Sequence, residues 1–353
     1  MNFASDNGSG ASAKIINALI AANTGASPAY GADNHSANAQ KMLAGIFERD
    51  LAAFLVPTGT ASNALALAAL CPPWGGVFCH REAHVMEDEC GAPEFFTGGA
   101  KLIGIPGAHG KITPQALAQT LTRFPAGLAK QVQPAALSLS QATECGTVYS
   151  CIEIGALTKT AHEAGMKTHM DGARFANALL CLGCTPAEMT WKAGIDVLSF
   201  GGTKNGAIAC EAVIFFDPAL AENFAYQRKR GGHTLSKGRF LGAQMEAYLG
   251  EDHWLDLARH ANGCAAQFSK ALAALPGVRL AFPTQANEIF VILPKPAEAA
   301  LKAAGALYYN WTCRSHGPGE GARENEAFLR LVTSFATTQN EIDAFLAIVR
   351  AAL

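Results

Sequence analysis

The sequence predicts an α/β protein: a mostly parallel sheet flanked by helices, followed by a smaller C-terminal α+β domain. Three observations carry this. Short apolar runs alternate with helix-like segments through the first ~250 residues, the signature of a sheet covered on both faces. The pattern changes character near Glu251-Asp252-His253. Half of the 353 residues are apolar and 16% are charged, enough for a sizeable core and too apolar for disorder. At about 150 residues per domain, the length suggests two domains. They are placed at residues 1–252, a large α/β domain with an N-terminal arm, and 253–353.

Ala52-Ala53-Phe54-Leu55-Val56 is short and apolar, as a buried strand should be, and Thr60 to Leu67 opens a helix. Further strands are expected at Val77-Phe78-Cys79, Leu102-Ile103-Gly104-Ile105, Ala136-Leu137-Ser138-Leu139, Lys167-Thr168-His169-Met170, Val197-Leu198-Ser199-Phe200 and Val213-Ile214-Phe215-Phe216. Residues 152–164 carry apolar positions at helical spacing. A long amphipathic helix is expected over 253–275. After it come Val278-Arg279-Leu280, Glu288-Ile289-Phe290-Val291-Ile292, a helix over 297–304, Leu329-Arg330-Leu331-Val332 and a terminal helix from Glu341.

Composition excludes several function classes. The net charge is −2 with no basic stripe, so nucleic acid is not an expected partner. The N-terminus lacks a basic segment followed by an apolar one, so no signal peptide is expected. No run reaches ~18 apolar residues, so no membrane span is expected. The ten cysteines have no repeated spacing. Cys181-Leu182-Gly183-Cys184 lacks the two further ligands zinc needs, so no metal site is expected, and free thiols in a reducing cytoplasm fit better.

The chemistry centres on two short segments. Lys204 lies in Ser199-Phe200-Gly201-Gly202-Thr203-Lys204, just after a strand. Asp171 lies in His169-Met170-Asp171-Gly172-Ala173-Arg174, at the end of the preceding strand. The two are one βαβ unit apart, roughly 30 residues. Taken alone, Lys204 reads as a surface charge and Asp171 as a helix cap. Together they give the layout pyridoxal 5′-phosphate (PLP) requires: a lysine for the cofactor aldehyde and a carboxylate for its pyridine nitrogen. Arg174 follows one helical turn on, and its planar fork suits a substrate carboxylate. Pro57-Thr58-Gly59-Thr60-Ala61-Ser62 joins a strand to a helix. Its free amides make a phosphate site in physical terms, although an ordinary capped turn reads the same way. His84 should open on the same crevice, to stack on a ring or handle protons. His80 and Glu87-Asp88-Glu89 are expected to be solvated. Arg228-Lys229-Arg230-Gly231-Gly232-His233 reads as solvated charge, or as a loop reaching the phosphate of a neighbouring subunit.

These motifs resemble the PLP-dependent threonine aldolases of the β-eliminating lyase superfamily, including the phenylserine-aldolase-like branch, nearly end to end. Ala4-Ser5-Asp6-Asn7, Tyr30-Gly31-Ala32-Asp33, the segment from Phe54 to Asn63, Ala83-His84, His169 to Arg174 and Arg330-Leu331-Val332-Thr333 carry the likeness. The resemblance implies an aspartate-aminotransferase-like fold (PLP fold type I, with a sheet of the seven-stranded type). It also implies a homodimer or homotetramer with shared active sites. Lys204 would be the Schiff-base lysine, Asp171 would hold the pyridine nitrogen, and His84 would stack on the ring. Gly59, Thr60 and Thr203 would bind phosphate. Ser5, Arg174 and Arg330 would hold the amino-acid carboxylate, and Tyr30 would line the site. The implied reaction is retro-aldol cleavage of an L-β-hydroxy-α-amino acid to glycine and an aldehyde. β-Elimination, transamination and a silent binding protein are the rival readings.

Two segments depart from the family pattern. Where the family has E-N-T-H-N, this chain has Ser140-Gln141-Ala142-Thr143-Glu144-Cys145-Gly146, without the histidine. Where the family has G-G-G-M-R-Q, it has Gly231-Gly232-His233-Thr234-Leu235-Ser236-Lys237, with Lys237 or Arg230 as substitutes for the arginine. Both resemble the phenylserine-aldolase-like branch, which implies bulkier β-substituents, and both leave the erythro/threo preference open. The base for the β-hydroxyl stays open between His84, Glu144 and an ordered water.

Overall fold

The computed structural model describes residues 1–317 and 320–353. Seven strands form the larger sheet: β1 (Ala52–Val56), β2 (Gly75–His80), β3 (Lys101–Ile105), β4 (Gln133–Ser140), β5 (Lys167–Gly172), β6 (Val197–Gly201) and β7 (Glu211–Phe215). Their order is β1-β7-β6-β5-β4-β2-β3. The pairs from β6 to β3 are parallel, and β7 runs antiparallel to both its neighbours. Every residue of β2, β6 and β7 is buried, as expected of strands covered on both faces.

Side-chain caps start many of the helices. Thr58 caps Gly59–Leu70, Thr113 caps Pro114–Leu121, and Ser150 with Glu153 forms a capping box on Cys151–Glu163. Helix Gly59–Leu70 is buried from Ala61 to Leu67 without a break, because it runs through the core rather than over it.

The expected strands and helices lie within a few residues of their observed positions. The C-terminal part adds a second, antiparallel sheet in the order β10-β11-β9-β8: β8 (Arg279–Leu280), β9 (Glu288–Pro294), β10 (Tyr309–Asn310) and β11 (Glu326–Val332). Helix His253–Ala273 buries Trp254, Ala258, Ala261, Ala265, Phe268 and Leu272 along one stripe. It packs on helix Phe175–Leu182 of the larger layer and on β8 and β9. The N-terminus joins this second core. The Phe3 ring lies 5.0 Å from Phe268 and 5.6 Å from Phe345, and its backbone bonds to Leu307 and Val332. That tether carries Asp6 across to Arg174, just beyond the carboxyl end of β5. No described helix is long and apolar enough to cross a membrane.

Candidate active site

The carboxyl ends of β1, β4, β5 and β6 open on one cavity of about 380 Å³. A ligand site is expected at this edge of an open α/β sheet. Pro57, Thr58, Gly59, Thr60, Asn63, His84, Glu144, Asp171, Arg174, Thr203 and Lys204 are among its lining residues. Six of the residues read from the sequence as cofactor ligands therefore meet there with Arg174.

The turn after β1 builds an anion seat. Thr58 Oγ1 accepts the Ala61 amide at 3.1 Å, and the Thr58 carbonyl accepts the Ser62 amide at 3.0 Å. The amides of Gly59 and Thr60 have no acceptor among the described residues. A Cβ on Gly59 would meet nothing within 4 Å, so that side of the turn is open. Two free amides at the positive end of a helix dipole, facing open space, suit a phosphate.

Lys204 sits on a clamped turn. Asn205 Nδ2 donates to Tyr248 Oη and to the Trp254 carbonyl, each at 2.8 Å, and Tyr248 Oη donates to the Gly201 carbonyl at 3.1 Å. A Cβ on Gly201 would lie 2.5 Å from the Ala173 carbonyl oxygen, and one on Gly202 the same distance from that of Cys210. Glycine at both positions lets the neighbouring chains close around the lysine. Among the described residues, the Lys204 ammonium has no hydrogen-bond or ion-pair partner, and it faces the cavity.

Asp171 is only 6% exposed, yet it stays ionised. Burial pushes its carboxyl up, but the charges of His84 and Lys204, with smaller contributions from the His169 ring and the Ala173 amide, bring it below the usual value. Its Oδ1 accepts that amide at 3.0 Å and its Oδ2 accepts Asn63 Nδ2 at 2.9 Å. It does not cap helix Phe175–Leu182, whose first turn has no side-chain cap. Below it, His169 is fully buried between Ser138 and Ser199, and burial lowers its imidazole to about 4, a neutral ring at physiological pH.

His84 Nδ1 lies 2.8 Å from Glu89 Oε1, which also accepts the other Asn63 Nδ2 proton at 2.8 Å. The Glu89 bond raises His84 to about 9 against the opposing effect of burial. Glu89 is therefore a correction to the sequence reading, which placed it in solvent: it is buried and joins His84 to Asp171 through Asn63. His80 is corrected likewise. It is buried, with Nε2 at 3.1 Å from the Gly107 carbonyl.

The Arg174 fork is already engaged. Nε and Nη2 donate to the two oxygens of Asp6 at 2.8 and 3.0 Å, and Nη1 lies 3.4 Å from Glu288 Oε2. Burial works against the charge, but Asp6 and Glu288 raise the guanidinium above its ordinary value. Glu288, 1% exposed, accepts from Arg330 Nε and Nη2 at 2.9 and 2.6 Å. The Arg330 guanidinium also lies 5.0 Å from the centre of the Trp311 ring. Arg174 and Arg330 are thus two ends of one buried network, although only Arg174 lines the cavity. Sequence reasoning gave no role to Asp6, Asn63, Glu89 and Glu288; the Ser5-Asp6-Asn7 motif and the segment from Phe54 to Asn63 were the available signals.

Ser5 and Tyr30 lie outside this cavity. Ser5 Oγ accepts the Asn7 amide at 3.1 Å and lines a small separate recess. Tyr30, 55% exposed, borders a cavity of about 500 Å³ with Arg228, and Lys229 Nζ sits 4.5 Å from the centre of its ring. Arg230, His233 and Lys237 do not line the Lys204 cavity either.

The donor set fits PLP. Gly59, Thr60 and Thr203 would hold the phosphate, Asp171 the pyridine nitrogen, His84 the ring and Lys204 the aldehyde carbon.

Comparison with known proteins agrees. Residues 2–295 match the family described as Beta-eliminating lyase. The chain is 47% identical to a low specificity L-threonine aldolase of Pseudomonas aeruginosa and 45% identical to one of Pseudomonas sp. strain NCIMB 10558. Each match covers 88% of this chain and 89% of the relative. A solved Leishmania major threonine aldolase superposes with a TM-score of 0.91 at 28% identity, over 99% of this chain and 98% of that one. Sphingomonas wittichii serine palmitoyltransferase shares the fold, with a TM-score of 0.70 at 16% identity over 100% and 86% of the two chains. The architecture is that of PLP fold type I, and with its lysine, its buried carboxylate and its open anion seat the chain belongs to the beta-eliminating lyase family, as a PLP-dependent carbon–carbon lyase.

Proposed function

We propose that this enzyme cleaves L-β-hydroxy-α-amino acids of the threonine, allo-threonine and phenylserine type to glycine and an aldehyde. The observation that carries this is the convergence of Lys204, Asp171 and His84 with the open amides of Gly59 and Thr60 on one cavity, in a chain nearly half identical to threonine aldolases.

When bound, PLP supplies an aldehyde for the Lys204 amine and a pyridinium ring that draws electron density from the substrate Cα. The protein does the rest. Asp171, ionised in a buried site, would hold the ring nitrogen and favour its protonated form. Arg174, which lines the cavity, orients the substrate carboxylate, with Arg330 joined to it through Glu288, so that the scissile Cα–Cβ bond has one fixed direction. Lys204 returns a proton to Cα as glycine forms.

A second cavity of about 470 Å³ supports the inclusion of bulky, phenylserine-type substrates. It shares Glu144 with the first and is lined by Trp311 and Cys313. The assembly is read as a homodimer or homotetramer in which Tyr30 serves a neighbouring site; its exposed ring beside Lys229 supports this. The chain divides near residue 252 into a larger and a smaller domain, with Phe3 of the N-terminal arm packing against Phe268 and Phe345 of the smaller one.

A product assay against threonine, allo-threonine and phenylserine tests the reading. Glycine and the matching aldehyde in equal amounts are expected. Pyruvate with ammonia, or a keto acid, would show that the fold runs a different reaction here.

A further inference from the structure

The aldol-cleavage reading leaves the acceptor of the β-hydroxyl proton open, and the segment after β4 identifies it. We infer that the Glu144 carboxylate is the general base that takes this proton, a role that rests on that reading.

The loop is built to present Glu144. Gln141 Nε2 donates to the Tyr149 carbonyl at 2.8 Å, and the Tyr149 amide donates to Gln141 Oε1 at 3.0 Å. Inside that clamp the Thr143 amide bonds to the Thr147 carbonyl at 2.8 Å, and the Gly146 amide to the Thr143 carbonyl at 2.9 Å. Glu144 is therefore the second residue of a four-residue turn whose ends are tied twice. Gly146, at φ 68°, lets the turn press on β9: a Cβ there would lie 3.2 Å from the Glu288 Cβ. The backbone on both sides of Glu144 is fixed, while its own carboxylate has no hydrogen-bond partner among the described residues.

Its position matches the task. Glu144 lines the Lys204 cavity and also the adjoining Trp311 cavity. It stands where a substrate passes from its reacting carbons to its β-substituent, which is where the hydroxyl must be. Glu288, Lys204, Asp171, His84 and Arg174 are the charged groups around it. Burial raises the Glu144 carboxyl, partly offset by His84, which makes it a stronger base than a solvated glutamate. His84 is the poorer candidate. It is paired to Glu89 and raised to about 9, so it is an imidazolium at neutral pH with no free lone pair.

The step balances. The hydroxyl O–H breaks and its proton passes to Glu144. The released pair forms the second bond of the aldehyde carbonyl, and the Cα–Cβ bond breaks with its pair left on Cα. A proton delivered to Cα completes glycine, and Glu144 gives up its proton when the aldehyde leaves.

Glu144→Gln in the PLP-loaded enzyme tests this. General-base loss should lower kcat for phenylserine and threonine about 10²- to 10⁴-fold. Glycine has no hydroxyl, so its calorimetric Kd should stay within about twofold of the parent's, below ~0.5 kcal/mol. Glu144→Asp should recover part of the rate, and the acid limb of the kcat/KM profile should disappear in Glu144→Gln. Cleavage by Glu144→Gln within about threefold of the parent would overturn the assignment. So would an equal loss of glycine affinity, which would mark Glu144 as scaffold. Should the parent release no glycine from any of the three substrates, the aldol reading itself would fail instead.

Discussion

Replacing Asp171 with Asn removes one charge from the cavity and almost no volume. An opposite charge within ~4–6 Å moves a pKa by about 1–3 units. At about 1.36 kcal/mol per unit, the pyridinium held by Asp171 would lose about 1.4–4 kcal/mol of stabilisation. If all of it is felt at the transition state, kcat falls about tenfold to a thousandfold. The structure supplies a control. Asp171 accepts on both oxygens, from Ala173 and from Asn63, whereas Asn offers one acceptor. One buried hydrogen bond is lost, costing about 1 kcal/mol of folding stability. The assay pairs steady-state cleavage with urea denaturation and with a measured PLP content. A PLP-loaded variant that turns over within about threefold of the parent would refute the role given to Asp171.

Other variants probe the surrounding network. Asp6→Asn leaves the buried Arg174 fork with Glu288, at 3.4 Å, as its remaining anionic partner, and should cost about 3 kcal/mol by urea denaturation. Because burial of Asp6 is outweighed by Arg174 and Lys204, its carboxyl is depressed; the parent should lose this stability as pH falls through the carboxylate range, and the variant should not. The His84–Glu89 pair has the opposite sign: with His84 raised to about 9, its contribution is full below about 6.5 and lost as pH rises through 9. The melting temperature of cofactor-free protein should follow that course, and Glu89→Gln should flatten it. Arg330→Ala should raise KM for the amino acid about tenfold or more with a smaller change in kcat, and an unchanged KM would remove Arg330 from substrate binding.

Much of the fold was legible because its signals are local. Apolar runs such as Val213-Ile214-Phe215 mark buried strands, and Thr58, Ser150 and Thr338 mark helix starts. Helix Asn34–Ile46 escaped notice because only Ala39 and Leu43 are buried on it, so its pattern is mostly polar. The cofactor side of the site was legible because Asp171, Lys204, Gly59 and His84 all follow or end strands, where the sheet places them together. The substrate side was not. Asp6 and Arg174 meet through a tether at Phe3 that packs into the far core, and Glu288 meets both arginines from the second sheet. Pairings between residues so distant in the chain leave no periodic trace. Glu89 was misread for a related reason: a carboxylate in an acidic run looks solvated until the half-buried His84 and the buried Asn63 are seen around it.

The most direct measurement is borohydride reduction of the PLP-loaded enzyme followed by peptide mapping. The reduced pyridoxyl group should sit on Lys204 alone, and Lys204→Ala should take up none. A label on any other lysine, or an equal label in Lys204→Ala, would contradict the site described above.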